Sequence, residues 1–221
     1  MAEERIYVFD AYGTLFDVHS AASRHAAAIG PGWERLSEIW RNKQLEYTWT
    51  HVGMGRYRSF RQLTSESLDF AISATGGVPQ GVRDQLLNAY AELSAYPEAK
   101  GVLARLKEGG ASLAILSNGD PDMLDDAIAA AGLAGLFDAV MSVAAAGTFK
   151  PSMAVYALAT RHFNVAPSAI TFVSSNRWDI AGAKAFGFRT VWINRRGAPD
   201  EYPELAPDVT APNLQKLADM T

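Results

Sequence analysis

Short apolar runs alternate with helix-like segments along the second half of the 221-residue chain, and this alternation restricts the fold more than any other feature. The runs after Pro97 lie at 112–116, 139–143, 170–173 and 190–193, and Val209 starts a last one. Strands that alternate with helices build βαβ units and therefore a parallel sheet. The sequence predicts an α/β fold whose core is a doubly wound, Rossmann-like parallel sheet.

The segments between these runs predict four helices of the core, at 99–107, 121–131, 151–163 and 179–186. The third of them begins with Pro151, because proline is tolerated at the first position of a helix. A further apolar run near the start of the chain, Ile6 to Phe9, is typical of a buried parallel strand. It is predicted to be the first strand of the sheet.

Residues 18–96 separate this first strand from the others and differ from them in pattern. Apolar residues recur there at helical spacing, as at Trp33 and Leu36, and strand-like runs are few. We therefore expect an inserted all-helical cap domain at 18–96 and an α/β core domain formed by 1–17 and 97–221.

Composition excludes several classes of protein. The chain is 48% hydrophobic and 20% charged, which is too apolar for a disordered protein. A net charge of -4 gives no global sign of nucleic-acid binding. The absence of cysteine excludes disulfides, thiol catalysis and cysteine-based zinc sites. No stretch resembles a signal peptide or a membrane span, so we expect a cytoplasmic protein with no membrane partner.

Four polar clusters stand at or just after the ends of predicted strands. They are Asp-Ala-Tyr-Gly-Thr at 10–14, Ser-Asn-Gly at 117–119, Lys-Pro at 150–151 and Ser-Ser-Asn-Arg-Trp-Asp at 174–179. Ligands of open α/β sheets bind beyond the carboxyl ends of the strands. One such cluster is weak evidence, but four in this order on an alternating chain predict an active site.

With these four motifs the chain resembles the haloacid dehalogenase superfamily, and the resemblance covers essentially the whole chain, the cap included. In that superfamily the first aspartate is the nucleophile, which implies this role for Asp10. Thr14, Ser117 and Lys150 match the supporting positions of the family.

Two departures from the phosphatases of this superfamily indicate the branch. Phosphatases carry a second aspartate at the position of Tyr12, where it protonates the leaving group, and tyrosine is a poor acid at neutral pH. Their acidic magnesium-binding cluster is reduced here to Asp179, because Ser175 stands at the other acidic position. The chain looks like the L-2-haloacid dehalogenase branch, which is metal-free and needs no cofactor.

The implied reaction needs a carboxylate that attacks a saturated carbon, expels halide and forms an ester that water then cleaves. Such a nucleophile requires a nearby cation and a dry pocket, and Lys150 can supply the cation. Asp179 is the candidate that positions or deprotonates the water. Ser174 and Asn176 are expected to orient Lys150 and Asp179 through hydrogen bonds.

The leaving halide is an anion and needs donors aimed at it. The resemblance puts a halide-binding arginine at Arg41, which shares a helix face with Gln44, Leu45 and Thr48.

The remaining candidates bind the substrate. Backbone N–H groups at strand ends form natural anion sites, so Ala11, Tyr12, Ser117 and Asn118 are expected to hold the substrate carboxylate. Asn118 is also a candidate for contact with the halide. Trp178 is expected to wall the pocket against water, and Tyr156 to hydrogen-bond near the nucleophile.

Three alternatives remain open at this point. The first is a phosphatase of the same superfamily, which magnesium would stimulate. The second is a dehalogenase that prefers fluoroacetate. The third is a non-enzymatic protein that binds a small acid or a protein partner. The expected partners are a small 2-haloacid, halide ion and water, without nucleic acid, and the resemblance implies a homodimer.

Overall fold

The computed structural model describes residues 5–220 and contains one six-stranded sheet. Its strands are β1 (Ile6–Phe9), β2 (Ser112–Ser117), β3 (Ala139–Ser142), β4 (Ile170–Ser174), β5 (Arg189–Ile193) and β6 (Val209–Ala211). All neighbouring strands are parallel, in the order β3-β2-β1-β4-β5-β6. The predicted α/β fold with a doubly wound parallel sheet is confirmed.

Helices flank this sheet and also form the long segment between β1 and β2. The helices of that segment are α1 (Ser20–Arg24), α2 (Ala26–Ile29), α3 (Trp33–Gly53), α4 (Phe60–Ala74) and α5 (Val82–Ala91). Those that follow are α6 (Ala99–Glu108), α7 (Pro121–Ala130), α8 (Met153–Phe163), α9 (Arg177–Phe186) and α10 (Gln215–Ala218). None of the helices within the described range is long and apolar enough to cross a membrane.

The central strands are apolar because both faces of the sheet are covered. Val8, Phe9, Ile115, Phe172 and Val173 are all fully buried. Near-continuous apolar runs are expected for parallel strands that are buried on both faces. This explains why the sequence pattern located the strands to within one residue at most ends.

Two predicted boundaries are wrong for local reasons. The third strand ends at Ser142, whose hydroxyl accepts a hydrogen bond from the backbone N–H of Ala144 and starts a 3-10 turn. The helix expected to begin at Pro151 begins at Met153 instead. Ser152 is extended, with φ -62° and ψ 133°, and forms the N-cap of α8, so Pro151 precedes the helix and the Lys150–Pro151 peptide is cis.

The helical segment leaves and rejoins the sheet through two adjacent connections. The backbone N–H of Tyr96 donates to the carbonyl of Leu15 at 2.9 Å, and that of Asp17 donates to the carbonyl of Ser94 at 2.8 Å. Within the segment, α3 packs on α4, and the indole N–H of Trp40 donates to the carbonyl of Thr64 at 2.9 Å.

The division into a cap at 18–96 and a core at 1–17 and 97–221 stays a prediction. Residues 1–4 lie outside the described residues.

Candidate active site

The carboxyl ends of three adjacent strands bring the predicted site residues together. Phe9, the last residue of β1, is in register with Ile115 of β2 and Val173 of β4. The backbone N–H of Asp10 extends this pairing by donating to the carbonyl of Val173 at 2.9 Å. The topology changes direction between β1 and β4, which is where ligands bind in open α/β sheets.

The two carboxylate oxygens of Asp10 have different surroundings. Oδ2 accepts hydrogen bonds from Thr14 Oγ1 at 2.9 Å, Ser174 Oγ at 3.3 Å and Asn176 Nδ2 at 2.8 Å. Among residues 5–220, the one donor to Oδ1 is Lys150 Nζ, at 3.1 Å. The side chain is therefore oriented mainly through Oδ2, and Oδ1 carries fewer hydrogen bonds.

Lys150 is a buried cation shared by two carboxylates. Its Nζ lies 3.1 Å from Asp10 Oδ1 and 2.8 Å from Asp179 Oδ2, and it stands over the ring of Phe172. Burial lowers the pKa of Lys150, but attraction to Asp10 and Asp179 outweighs burial and raises it above the ordinary value. The predicted cation beside Asp10 is thus present and charged.

Asp179 is fully buried on the far side of Lys150 from Asp10 Oδ1. Besides Lys150 it accepts a hydrogen bond from the Tyr156 hydroxyl, at 2.8 Å to Oδ1. Burial raises the pKa of Asp179 to about 6, while the charge of Lys150 and the hydrogen bond of Tyr156 hold it down. A carboxyl group with a pKa of about 6 can gain or lose a proton near neutral pH.

Tyr156 contacts Asp179 rather than Asp10. Its hydroxyl donates to Asp179, and its ring packs against Phe172, Phe186 and Phe188 inside the core. Burial and the charge of Asp179 raise the pKa of Tyr156 well above the ordinary value, so its hydroxyl stays protonated and remains a donor. The structure thus places the Tyr156 hydroxyl beside Asp179, which shares Lys150 with Asp10, and a contact of Tyr156 with the substrate stays a prediction.

The loop after β4 is joined to the loop after β1. The backbone N–H of Ser175 donates to Thr14 Oγ1 at 2.8 Å, and Ser175 Oγ donates to the carbonyl of Gly13 at 2.6 Å. Gly13 has a φ of +92°, which favours glycine. Ser174 accepts from the backbone N–H of Asn176 at 3.1 Å. These bonds hold in place the side chains that donate to Asp10. Ser174 and Asn176 hydrogen-bond to Asp10, whereas the sequence predicted that they would hydrogen-bond to Lys150 and Asp179.

Arg41 reaches the site from α3. Its Nη2 donates to the carbonyl of Tyr12 at 3.2 Å and to Asn176 Oδ1 at 3.4 Å, and its Nη1 donates to Gln44 Oε1 at 2.9 Å. Within residues 5–220 it forms no ion pair with a carboxylate. Its positive charge is left without a carboxylate and can meet an anion.

Three backbone N–H groups near Asp10 are unused. Those of Ala11, Tyr12 and Asn118 donate no hydrogen bond to another residue of the described chain. The side chains in this region are committed elsewhere: Ser117 Oγ accepts from the backbone N–H of Gly119, and Asn118 Oδ1 accepts from that of Lys150. The anion site stays a prediction, for which these three main-chain N–H groups are available, and the side chain of Ser117 stabilises the loop.

Aromatic side chains surround the polar groups. Tyr12 packs on Phe60 at 5.4 Å and stacks on Tyr90 at 5.6 Å between ring centroids. Trp178 contacts Trp49 of α3 edge to face at 5.4 Å. Trp178, Arg41 and Asn176 are among the residues lining a cleft of about 320 Å³.

Sequence reasoning missed Asp120 and the role of Gln44. Asp120 is the N-cap residue of α7, but its side chain instead accepts hydrogen bonds from the backbone of α4. Gln44 was placed on the helix face of Arg41, but its buried partners Thr64 and Tyr90 come from other helices. Local sequence patterns do not predict hydrogen bonds between residues that lie this far apart in the chain.

The chain is similar to known proteins in both sequence and fold. The haloacid dehalogenase-like hydrolase family matches residues 4–187. The chain is 51% identical to (S)-2-haloacid dehalogenase 1 of Pseudomonas sp. (strain CBS-3) over 90% of this chain and 88% of that protein. It is 48% identical to (S)-2-haloacid dehalogenase 4A of Burkholderia cepacia, over 92% and 88% respectively. The solved structure of the L-2-haloacid dehalogenase from Xanthobacter autotrophicus with chloropropionic acid covalently bound is 38% identical, has a TM-score of 0.89, and the match covers 98% of both chains.

Proposed function

The chain belongs to the haloacid dehalogenase-like hydrolase family, and from this premise we propose that it hydrolyses short L-2-haloacids to D-2-hydroxy acids and halide, with Asp10 as the nucleophile. One observation carries the assignment of residues: a buried cluster in which Lys150 pairs with both Asp10 and Asp179 lies beneath Arg41, a cation without a carboxylate partner. The cluster holds an oriented carboxylate that can attack a substrate, and the unpaired charge of Arg41 can stabilise the halide as it leaves.

In the first step, Asp10 Oδ1 attacks C2 of the substrate from the side opposite the halogen. An ester bond forms between Asp10 and C2, the carbon–halogen bond breaks, and the halide leaves with the electron pair. Oδ1 is the reacting oxygen because it accepts one hydrogen bond while Oδ2 accepts three. Arg41 stabilises the negative charge that develops on the halogen.

In the second step, water attacks the carbonyl carbon of the ester. The bond between that carbon and the ester oxygen, formerly Oδ1, breaks; this oxygen leaves on C2 with the electron pair and takes up a proton to become the product hydroxyl, while the oxygen of water stays on Asp10. C2 therefore undergoes a single displacement, and its configuration is inverted once. Ester formation removes the negative charge of Asp10, and that charge raises the pKa of Asp179. The pKa of Asp179 therefore falls when the ester forms, which keeps Asp179 ionised as the acceptor of the water proton.

The substrate carboxylate binds the unused N–H groups of Ala11, Tyr12 and Asn118. These donors follow β1 and β2 on the side of the sheet where Asp10 lies. Trp178 and the ring of Tyr12 contribute apolar surface that limits hydration of the reacting carboxylate.

The reaction is proposed to need no metal ion or cofactor. The positive charge of Lys150 already pairs with both Asp10 and Asp179, and it supplies the electrostatic stabilisation that a metal ion would otherwise give. Among residues 5–220, no group of three or more His, Asp and Glu side chains is suited to holding a metal. The phosphatase alternative has less support, because burial raises the pKa of Tyr12 well above its ordinary value and makes it a poorer acid still.

The oligomeric state and the cellular location of the protein are inferred from the resemblance to the family. We propose a cytoplasmic homodimer, and the exposed aromatic side chains of Trp49 on α3 and Phe70 on α4 are compatible with a protein contact at the cap. Light scattering coupled to gel filtration would give the mass in solution. A mass of one chain at micromolar concentration would reject the dimer.

The test of the function is halide release from L- and D-2-chloropropionate in the presence of EDTA, with native protein and Asp10→Asn. We expect release from the L form alone, unaffected by EDTA and lost in Asp10→Asn. A single turnover in ¹⁸O water should leave the label on Asp10, because water attacks the ester carbonyl. Release of halide without labelled Asp10 would reject the ester route, and activity on fluoroacetate alone or on phosphate esters with magnesium would replace the substrate class.

A further inference from the structure

We propose that Gln44 is a positioning residue for Arg41: its buried amide holds the guanidinium in place and leaves the positive charge free for the leaving halide. The inference rests on the proposed function, in which Arg41 meets that halide. Gln44 itself is 1% exposed and touches none of the reacting atoms described above. It acts through Arg41, with which it shares a face of α3.

The amide of Gln44 uses both of its polar atoms. Oε1 accepts a hydrogen bond from Arg41 Nη1 at 2.9 Å, and Nε2 donates to Thr64 Oγ1 at 2.7 Å. The hydroxyl of Tyr90 lies 3.1 Å from Oε1 and 3.0 Å from Nε2. The side chain is thus held by α4 and α5 as well as by its own helix.

The orientation of this amide follows from Thr64. The hydroxyl of Thr64 donates its hydrogen to the carbonyl of Phe60 at 2.7 Å, so toward Gln44 it can only accept. The amide nitrogen must therefore face Thr64, and the amide oxygen must face Arg41. An amide turned the other way would place two donors, the NH₂ group and the guanidinium, against each other.

Gln44 accepts a hydrogen bond from Arg41 at 2.9 Å, which is shorter than those that Arg41 donates to the carbonyl of Tyr12, at 3.2 Å, and to Asn176 Oδ1, at 3.4 Å. Arginine has a long side chain that loses rotamer freedom when it is held in one place. Gln44 restricts the rotamers of Arg41 before the substrate binds. Halide binding therefore does not carry the entropy cost of ordering this side chain.

A neutral acceptor is essential to this arrangement. A carboxylate at position 44 would also hold Arg41, but it would neutralise the charge that the halide needs. The amide orients the guanidinium without that loss. This explains why a buried residue facing an arginine is Gln rather than Glu.

The experiment measures two quantities for native protein and variants: the inhibition constant of chloride, and the ratio of kcat for L-2-bromopropionate to kcat for L-2-chloropropionate. Gln44→Glu keeps the hydrogen bond and adds charge, while Gln44→Leu removes the hydrogen bond. We expect both to raise the inhibition constant of chloride at least fivefold. We also expect both to raise the kcat ratio, since chloride is the poorer leaving group and depends more on Arg41.

Ser67→Ala is the matched control. It removes a buried hydroxyl of α4 that donates to the carbonyl of Thr64 at 3.0 Å, and it leaves the hydrogen bonds of the Gln44 amide in place. We expect a lower Tm, with both halide measurements within about twofold of native. If Gln44→Leu fails to fold, Gln44→Met gives a milder test, because it keeps an unbranched side chain of similar length, lacks the amide oxygen that accepts from Arg41 Nη1, and should shift both measurements in the same direction.

The outcomes separate this inference from the proposed function. A native protein that releases halide, with Gln44 variants that match it in both measurements, overturns the role of Gln44 alone. Equal shifts in Ser67→Ala would also overturn it, because they would follow from lost packing. A native protein that releases no halide overturns the proposed function and this inference with it.

Discussion

The carboxylate of Asp120, which follows β2, accepts a hydrogen bond from the backbone N–H of Arg61 at the start of α4, at 2.8 Å. The same carboxylate accepts from the N–H of Phe60 at 3.2 Å, and the hydroxyl of Tyr57 lies 3.4 Å from it. The first N–H groups of a helix have no partner within the helix. Ser59 is the N-cap of α4, and Asp120, two residues after Asn118, satisfies the first two N–H groups of this helix. Asp120 thus ties the inserted segment to the loop after β2.

Removing the carboxylate of Asp120 should lower the stability of the folded protein. Asp120→Ala leaves two N–H groups without their partner and should lower the free energy of unfolding by about 1–3 kcal/mol. Urea unfolding measures the loss, and hydrogen exchange should speed up at the amides of 60 and 61. Asp122→Ala is the control, because its ion pair with Arg61 is exposed and worth less than about 1 kcal/mol. Equal losses in the two variants would contradict the role of Asp120.

Removing the hydroxyl of Tyr156 should move the acid side of the activity profile. Activity that needs ionised Asp179 falls as the pH drops through its pKa, which is about 6 before the ester forms and lower once the charge of Asp10 is lost. The hydrogen bond of Tyr156 lowers that pKa, so Tyr156→Phe should raise it and shift the acid limb of kcat to higher pH. The control is Tyr7→Phe, in β1 and stacked on Phe9. An unmoved limb in Tyr156→Phe would show that a different group controls it.

Asp179 should also make stability depend on pH in a defined direction. Its pKa is about 6 in the folded protein and 3.8 when unperturbed, so the native state holds the proton more tightly. The stability that this adds is complete below about pH 4 and is lost as the pH rises through 6. It amounts to about 2–3 kcal/mol at roughly 1.4 kcal/mol per pH unit. Relative to Asp179→Asn, the native protein should therefore lose stability between pH 4 and 7 in urea titrations. A constant difference across that range would contradict it.

Removing Lys150 should cost more than removing either of its partners. Lys150→Met leaves two buried carboxylates without their cation, which typically destabilises a protein by about 3–5 kcal/mol. Adding Asp179→Asn to Lys150→Met should recover part of this loss, because it removes one of the stranded charges. A double-mutant cycle in urea at pH 7.5 measures the recovery. Simple additivity would mean that the three side chains do not act as one cluster.

The sequence predicted those parts of the molecule that depend on local patterns. The strands could be located because strands buried on both faces form apolar runs. Asp10 and Lys150 could be located because each belongs to a short motif at a fixed position relative to a strand. The start of α8 was missed because Ser152, not Pro151, takes the extended N-cap conformation. The partner of Asp120 was also missed. It lies about 60 residues earlier in the chain, and an Asp before a proline reads as the cap of its own helix.

The adjacent connections of the inserted helices shorten the path by which the sheet can assemble. The pairing of Ile6 with Ser112 would otherwise close a loop of about 100 residues, and each doubling of loop length costs about 0.6 kcal/mol of chain entropy. Once Leu15 and Tyr96 are joined, the effective loop is about a quarter as long, so closure is easier by roughly 1 kcal/mol. The insertion thus brings distant strands together, and its formation before the sheet would lower the entropy cost of pairing β1 with β2.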